Sequence, residues 1–253
     1  MSDERPDVVK TTDPIRLESL FMAVAEELKR PIGHIARTAE LHQSGLSADG
    51  DAADGLEAGL QDIQHSADMT VQLLDGYLMA LRAGLGLDGA MHFEPVCVSA
   101  ILRDAADELR ETAHSYGVTL QLDNVGRADP VLADRTALRQ VLVSLGRELI
   151  SALPSHGTGP QRLQLAAHRT REGVVAGVYG QLEGLTEASL RRARETHGMV
   201  RQPLVSLLPG SGAGIFVAEA LLANMEARLR VGRFRRLPGF AVTLPVSEQM
   251  RIV

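Results

Sequence analysis

A regular series of apolar residues constrains the N-terminal part of this 253-residue chain. Its members are Leu56, Leu60, Ile63, Ala67, Val71, Leu74, Leu78 and Leu81. Spacings of three and four place all of them on one stripe of a helix. Because a stripe of this length has to be covered by other helices, the series predicts a helical bundle.

A second amphipathic helix is predicted upstream and ends near His42. Its apolar stripe consists of Phe21, Val24, Leu28 and Ile35. Pro31 lies inside the pattern and is expected to bend the helix, because proline lacks a backbone donor. The segment from Gln43 to Asp54 is rich in Gly, Asp and Ser and predicts a loop. The two helices would form an antiparallel hairpin, and a homodimeric four-helix bundle would cover both stripes.

The rest of the chain has a different pattern of predicted secondary structure. Glycines between Ala83 and Ala90 indicate a hinge, after which short strands are interspersed with helices. We therefore expect a flexible tail over 1–14, a helical hairpin over 15–83, a linker over 84–92 and an α+β sandwich over 93–248. Predicted strands cover 96–98, 118–122, 163–167, 174–179, 227–231 and 240–244. Predicted helices cover 99–114, 134–152 and 186–195, and a last one begins at Gly212 or Gly214 and ends at Met225.

Composition argues against several classes of function. The net charge of −6 argues against general nucleic-acid binding. No apolar run approaches the roughly 20 residues that span a bilayer, so we expect a cytoplasmic protein without a membrane segment. The lone Cys97 cannot form an intramolecular disulfide, and its neighbours predict a buried strand residue, with Ser99 as the cap of the next helix. No His or Cys spacing indicates a metal site.

Four segments read AEELKRPI (25–32), DRTALRQVL (134–142), GSGAGI (210–215) and GFAVTLP (239–245). In this order they resemble the phosphoacceptor box, the entry to the N box, the second glycine box and the closing strand of bacterial sensor histidine kinases. The resemblance is to the transmitter core of that family and covers about residues 15–248. It implies a dimerisation hairpin followed by a GHKL-type ATP-binding domain, an α/β sandwich.

The chain departs from the family at the positions that carry its chemistry. In the family, a histidine of the first box accepts the γ-phosphoryl group of ATP, and Glu26 holds its place here. Ser144 and Glu148 stand where the N box supplies asparagines, one of which helps to hold Mg²⁺. Gly180 stands where the first glycine box has an aspartate for adenine, and Gly184 is that box's matching glycine. The second glycine box keeps Gly210, Gly212 and Gly214.

These departures imply weak or absent ATP binding. Losing a charged hydrogen-bond partner of adenine costs about 1.5–3 kcal/mol. A carboxylate about 4 Å from phosphate costs on the order of 4 kcal/mol. The glycine loop at a helix N-terminus could still offer backbone donors to an anion. No cofactor is therefore expected, and ATP with Mg²⁺ would be bound only if the degenerate pocket, with Glu148 as a metal ligand, accepts them.

The resemblance implies a pseudokinase that binds a response regulator receiver domain or another histidine kinase and modulates a two-component pathway. Its docking surface would include Glu26, Lys29, Arg30 and His34, because the family engages its receivers there. Two alternatives stay open: an active or atypical kinase or phosphotransfer protein that uses His34, and a receiver phosphatase that uses Glu27. No nucleic acid or membrane is expected as a partner.

Arginines concentrate positive charge in the second domain. They stand at positions 191, 192, 194, 228, 230, 233, 235 and 236. This pattern is typical of a solvated face, and it is also compatible with docking of an acidic partner surface.

Overall fold

A computed structural model of the protein describes residues 28–29, 32–41, 52–84, 91–124, 130–153, 161–182, 184–196 and 213–247. The helices are α1 (32–41), α2 (Ala52–Gly84), α3 (Val98–Ser115), α4 (Arg135–Ala152), α5 (Glu187–Thr196) and α6 (Ala213–Asn224). The strands are β1 (Glu94–Val96), β2 (Val118–Asn124), β3 (Val131–Ala133), β4 (Gln161–Arg169), β5 (Val174–Gly180), β6 (Leu229–Phe234) and β7 (Leu237–Leu244). Within these residues, no helix combines the length and apolar character that crossing a membrane requires.

The sandwich consists of a five-stranded sheet with helices on one face. Its strand order is β2-β4-β5-β7-β6, with β2 parallel to β4 and the other neighbours antiparallel. Alternate residues of β4 and β5, such as Leu163, Leu165 and Val178, share one aliphatic core with α3, α4 and α6. This architecture confirms the predicted α+β class and the α/β-sandwich layout.

Helix α2 packs against α6 and α4 of the sandwich. Among the side chains of α2 that the structure describes, Tyr77, Ala80 and Ala83 are buried. Members of the predicted apolar stripe lie on another side of the helix and are exposed, namely Leu60, Val71, Leu74 and Leu78. The sequence therefore predicted the helix correctly, while the face that docks on the sandwich is the one with small residues and a tyrosine.

Two details at the start of the sandwich differ from expectation. Cys97 is exposed and occupies the N-cap position of α3, so the predictions of a buried strand cysteine and of Ser99 as the cap were wrong. The pKa of the Cys97 thiol lies below its ordinary value, chiefly because the hydroxyl of Ser99 hydrogen-bonds to the sulfur. The sequence analysis also missed β3, which pairs with β1 in a two-stranded sheet.

Candidate functional site

A row of buried polar side chains follows α4. Gln140, Ser144 and Glu148 are spaced by four residues, which places them on one side of the helix. Their exposed fractions are 9%, 6% and 5%. Gln140 Nε2 donates to Ser144 Oγ over 3.4 Å. Ser144 and Glu148 are the residues that the resemblance aligns with the N-box asparagines. The row therefore forms one wall of the candidate nucleotide site.

Neighbouring helices cover this row at two glycines. Gly76 of α2 lies against the amide of Gln140, so closely that a Cβ there would meet the Nε2 atom. Gly214 of α6 lies against the Ser144–Glu148 end, where a Cβ would be 2.8 Å from the Ser144 carbonyl oxygen. Because neither glycine carries a side chain, both helices approach α4 closely and seal the row.

A buried hydrogen bond joins Glu148 to the glycine box. The backbone N–H of Gly214 donates to Glu148 Oε1 over 2.8 Å, in a buried position. Gly214 lies in the first turn of α6, where backbone N–H groups have no partner within the helix and favour an anion. The carboxylate of Glu148 therefore occupies the place that a helix N-terminus offers to an external anion.

The first glycine box lies at the C-terminal end of α4. Gly180 closes β5 and is buried, and a Cβ there would be 3.1 Å from Leu153 Cδ2. Leu153 follows α4 and is fully buried, and Leu182 is buried as well. The position that the sequence resemblance aligns with the family's adenine-binding aspartate is thus packed against aliphatic side chains. Gly184 is exposed and has φ 80°, a left-handed conformation that suits glycine.

Ion pairs between α3 and α4 hold the N-box helix in place. Glu108 of α3 forms ion pairs with Arg139 and with Arg147, the latter at 3.4 Å. Arg147 is buried, and this burial lowers the pKa of its guanidinium, while the charge of Glu108 raises it. Since Arg147 is largely buried, the charge of Glu108 helps to compensate the loss of solvation of its guanidinium.

The hairpin places His34 against the second helix. His34 Nδ1 lies 3.0 Å from Ser66 Oγ of α2, and the side chain of His34 is exposed. Lys29 is exposed too. The remaining predicted site residues lie outside the described part of the chain, namely Glu26, Glu27, Arg30, Gly210 and Gly212.

The structure thus brings together Ser144, Glu148 and Gly214, and it places Gly180 against Leu153 at the C-terminal end of α4. Sequence reasoning missed the covering role of Gly76 and the filling role of Leu153. A lone glycine within an apolar helical pattern is a signal of close packing, and it could have identified Gly76. Leu153 carries no such signal, because an aliphatic residue after a helix is ordinary.

Comparisons with known proteins agree with this architecture. No family model matches the sequence. Sporulation kinase E of Bacillus subtilis (strain 168) is 23% identical over 160 residues, which cover 63% of this chain and only 20% of that kinase. The histidine kinase AdeS of Acinetobacter baumannii superposes with a TM-score of 0.55 at 13% identity, covering 88% of this chain and 98% of AdeS.

A second similar structure is the histidine kinase ThkA in complex with the response regulator protein TrrA. It gives a TM-score of 0.56 at 15% identity and covers 97% of this chain and 69% of that chain. At these identities the similarity establishes the fold. The chain has the fold of a histidine kinase transmitter core, a helical hairpin joined to a GHKL-like α/β sandwich.

Proposed function

We propose that this chain is a histidine-kinase-like two-component signalling protein that does not use ATP and acts by binding. Its partner would be the receiver domain of a response regulator or another histidine kinase, and binding would modulate that partner's phosphorylation. No cofactor takes part in this function.

The observation that carries the proposal is the hydrogen bond from the Gly214 N–H to the Glu148 carboxylate. A nucleotide phosphate at this helix N-terminus would have to displace Glu148 or lie beside it. Two like charges about 4 Å apart repel by on the order of 4 kcal/mol at an effective dielectric constant near 20. A penalty of that size lowers affinity about a thousandfold.

The adenine side of the pocket supports the same conclusion. Gly180 offers no carboxylate to an adenine amino group, and Leu153 packs where a side chain at position 180 would begin. Since both ends of the site oppose a nucleotide, the loss of binding does not depend on one substitution.

Binding of a receiver domain is supported by the hairpin surface. Lys29 and His34 are exposed on the first helix. ThkA, which has the same fold, is seen in complex with a response regulator. We expect Lys29→Ala and His34→Ala to weaken binding of a cognate receiver domain in calorimetric titrations, whereas Arg171→Ala, at an exposed site on the β4–β5 turn, leaves it unchanged.

The second proposed partner is another copy of this chain, in a homodimer. The exposed stripe of α2 comprises Leu60, Val71, Leu74 and Leu78, while another side of the same helix is buried on the sandwich. A second copy that contributes the same stripe would complete a four-helix bundle.

Calorimetric titration with Mg-ATP tests the loss of nucleotide binding. We expect the wild type to show no saturable binding at millimolar ATP, and no acid-labile phosphate after incubation. Glu148→Gln keeps an oxygen that can accept the Gly214 N–H but removes the charge, so it should bind ATP at least about tenfold more tightly. Glu172→Gln, at an exposed turn, is the matched control. Micromolar binding by the wild type would restore an active kinase as the better interpretation.

Phosphotransfer through His34 is a second candidate function. The contact between His34 Nδ1 and Ser66 Oγ orients the imidazole of an exposed histidine, which is what a phosphoryl acceptor in the hairpin needs. A phosphorylated receiver domain incubated with the protein would then transfer label to it, and His34→Gln would abolish the transfer. Release of inorganic phosphate, lost in Glu27→Gln, would instead indicate a receiver phosphatase.

A further inference from the structure

The hairpin of β6 and β7 carries a dense group of positive charges. Arg228, Arg230, Arg233, Arg235 and Arg236 are all exposed. Among the described residues, Arg235 forms an ion pair, with Asp123, and the other four form none. A chain of net charge −6 thus carries a group of arginines at one edge strand and its turn, on both faces of the strand. One carboxylate also reaches this edge, where Glu187 Oε2 accepts the N–H of Val231 over 2.8 Å. We call these five residues the basic hairpin.

The turn of this hairpin has an unfavourable sequence for its conformation. Phe234 pairs with Leu237, so Arg235 and Arg236 form a two-residue turn, with φ of 46° and 73°. Turns with positive φ at both central residues favour Asn-Gly, because a Cβ is strained there. Two arginines at these positions are poor choices for folding, which indicates that their charges serve another purpose.

The tip is held in a defined position. Arg235 Nη1 lies 2.6 Å from Asp123 Oδ2, and its guanidinium lies 5.6 Å from the centroid of the Phe234 ring. Phe234 in turn packs against Tyr179 and His168, with ring centroids 5.5 and 5.7 Å away. A positioned guanidinium loses less conformational entropy on binding than a free one, so the tip is preorganised to contact a partner.

We propose that the basic hairpin is a docking site for an acidic surface of a partner protein. Arginine is enriched in protein interfaces, where its planar guanidinium binds carboxylates through two hydrogen bonds. A compact acidic patch fits a surface limited to one hairpin. A long nucleic acid or an anionic membrane would extend past this hairpin and come into direct contact with other parts of a chain whose net charge is −6. This site goes beyond the proposed function, because it lies on the sheet edge and not on the hairpin helices.

Binding of a fluorescent oligoglutamate peptide, followed by anisotropy, tests the proposal. The wild type should bind it with an affinity that falls as salt is raised. Arg233→Gln with Arg236→Gly removes two charges and leaves Arg235 and its contacts intact, and should weaken binding about tenfold. Arg236→Gly alone should also raise the melting temperature by roughly 2–4 °C, because glycine accepts the positive φ.

Arg103→Gln with Arg110→Gln, on the exposed side of α3, removes the same charge elsewhere and should leave peptide binding unchanged. The proposal is overturned if the wild type does not bind the peptide. It is also overturned if the variant Arg233→Gln with Arg236→Gly binds as tightly as the wild type, or if the variant Arg103→Gln with Arg110→Gln loses as much affinity. Tighter binding of duplex DNA or of phosphatidylglycerol vesicles through the same arginines would assign the surface to a different partner. A lower melting temperature of Arg236→Gly would contradict the argument from turn strain.

Discussion

Tyr179 is a buried tyrosine whose ionisation opposes folding at high pH. The residue is 1% exposed, and its ring lies against Gly177 of its own strand and Gly239 of β7. A Cβ on Gly177 would be 2.5 Å from the Tyr179 Oη. Burial raises the pKa of Tyr179 from 10.0 to about 12, because the phenolate cannot be solvated inside the sheet. The neutral phenol is therefore the form that the folded state accepts.

This shift predicts a loss of stability in alkali. Between pH of about 10 and about 12 the unfolded tyrosine releases its proton and the folded one keeps it, so the free energy of unfolding falls by roughly 2–3 kcal/mol as pH rises. Below pH of about 10 the contribution is fully present. Tyr179→Phe should lose this part of the pH dependence in denaturant titrations, whereas Tyr116→Phe, at an exposed site, should behave as the wild type. An unchanged alkaline slope in Tyr179→Phe would refute the assignment.

At the scale of elements, the sequence predicted most helices and strands, and it failed where the signal is short or weak. Helix α4 begins where expected, because Asp134 Oδ1 accepts the N–H of Ala137 over 2.8 Å. Strands β1 and β3 have three residues each, too few for a period of two to be recognised. The docking face of α2 was missed since Tyr77, Ala80 and Ala83 form a weaker apolar pattern than the leucines on the exposed side.

The close contact between α4 and α6 predicts whether an alanine at position 214 raises or lowers the free energy of unfolding. A Cβ on Gly214 would lie 2.8 Å from the Ser144 carbonyl oxygen and 3.0 Å from Glu148 Oε1. Gly214→Ala should therefore destabilise the protein by about 1–3 kcal/mol, as overpacking does. Without this close approach, alanine would stabilise a helix by about 1 kcal/mol. Gly55→Ala in α2, where a Cβ meets nothing within 4 Å, is the control and should stabilise. Urea unfolding of both variants measures whether the free energy of unfolding falls for Gly214→Ala and rises for Gly55→Ala.

At the scale of the molecule, the candidate site combines segments that are far apart in the chain. The motifs indicated that Ser144, Glu148 and Gly214 belong to one site, and the structure places them in contact. The hydrogen bond between Glu148 and Gly214, 66 positions apart, was not predictable, because it depends on how closely α4 and α6 pack. Motif matching thus identifies which residues meet, and packing decides whether they leave room for a ligand.

The two sides of α2 lead to a prediction about assembly. Its small-residue side is buried on the sandwich, and Leu74 and Leu78 remain 41% and 40% exposed on the other side. If a second copy covers these leucines, Leu74→Glu with Leu78→Glu would bury unpaired carboxylates in the bundle and prevent its formation. Sedimentation equilibrium should then show a dimer for the wild type and a monomer for the double variant.

The matched control places the same charges on the sandwich. Leu122 and Leu132 are exposed to a similar degree, at 39% and 46%, on β2 and β3. Leu122→Glu with Leu132→Glu should remain dimeric, because these side chains lie away from α2. Both double variants should keep the circular dichroism spectrum of the wild type, since none of the four leucines is buried within one chain. A monomeric wild type, or a dimer that survives both changes in α2, would show that this stripe is not the interface between copies.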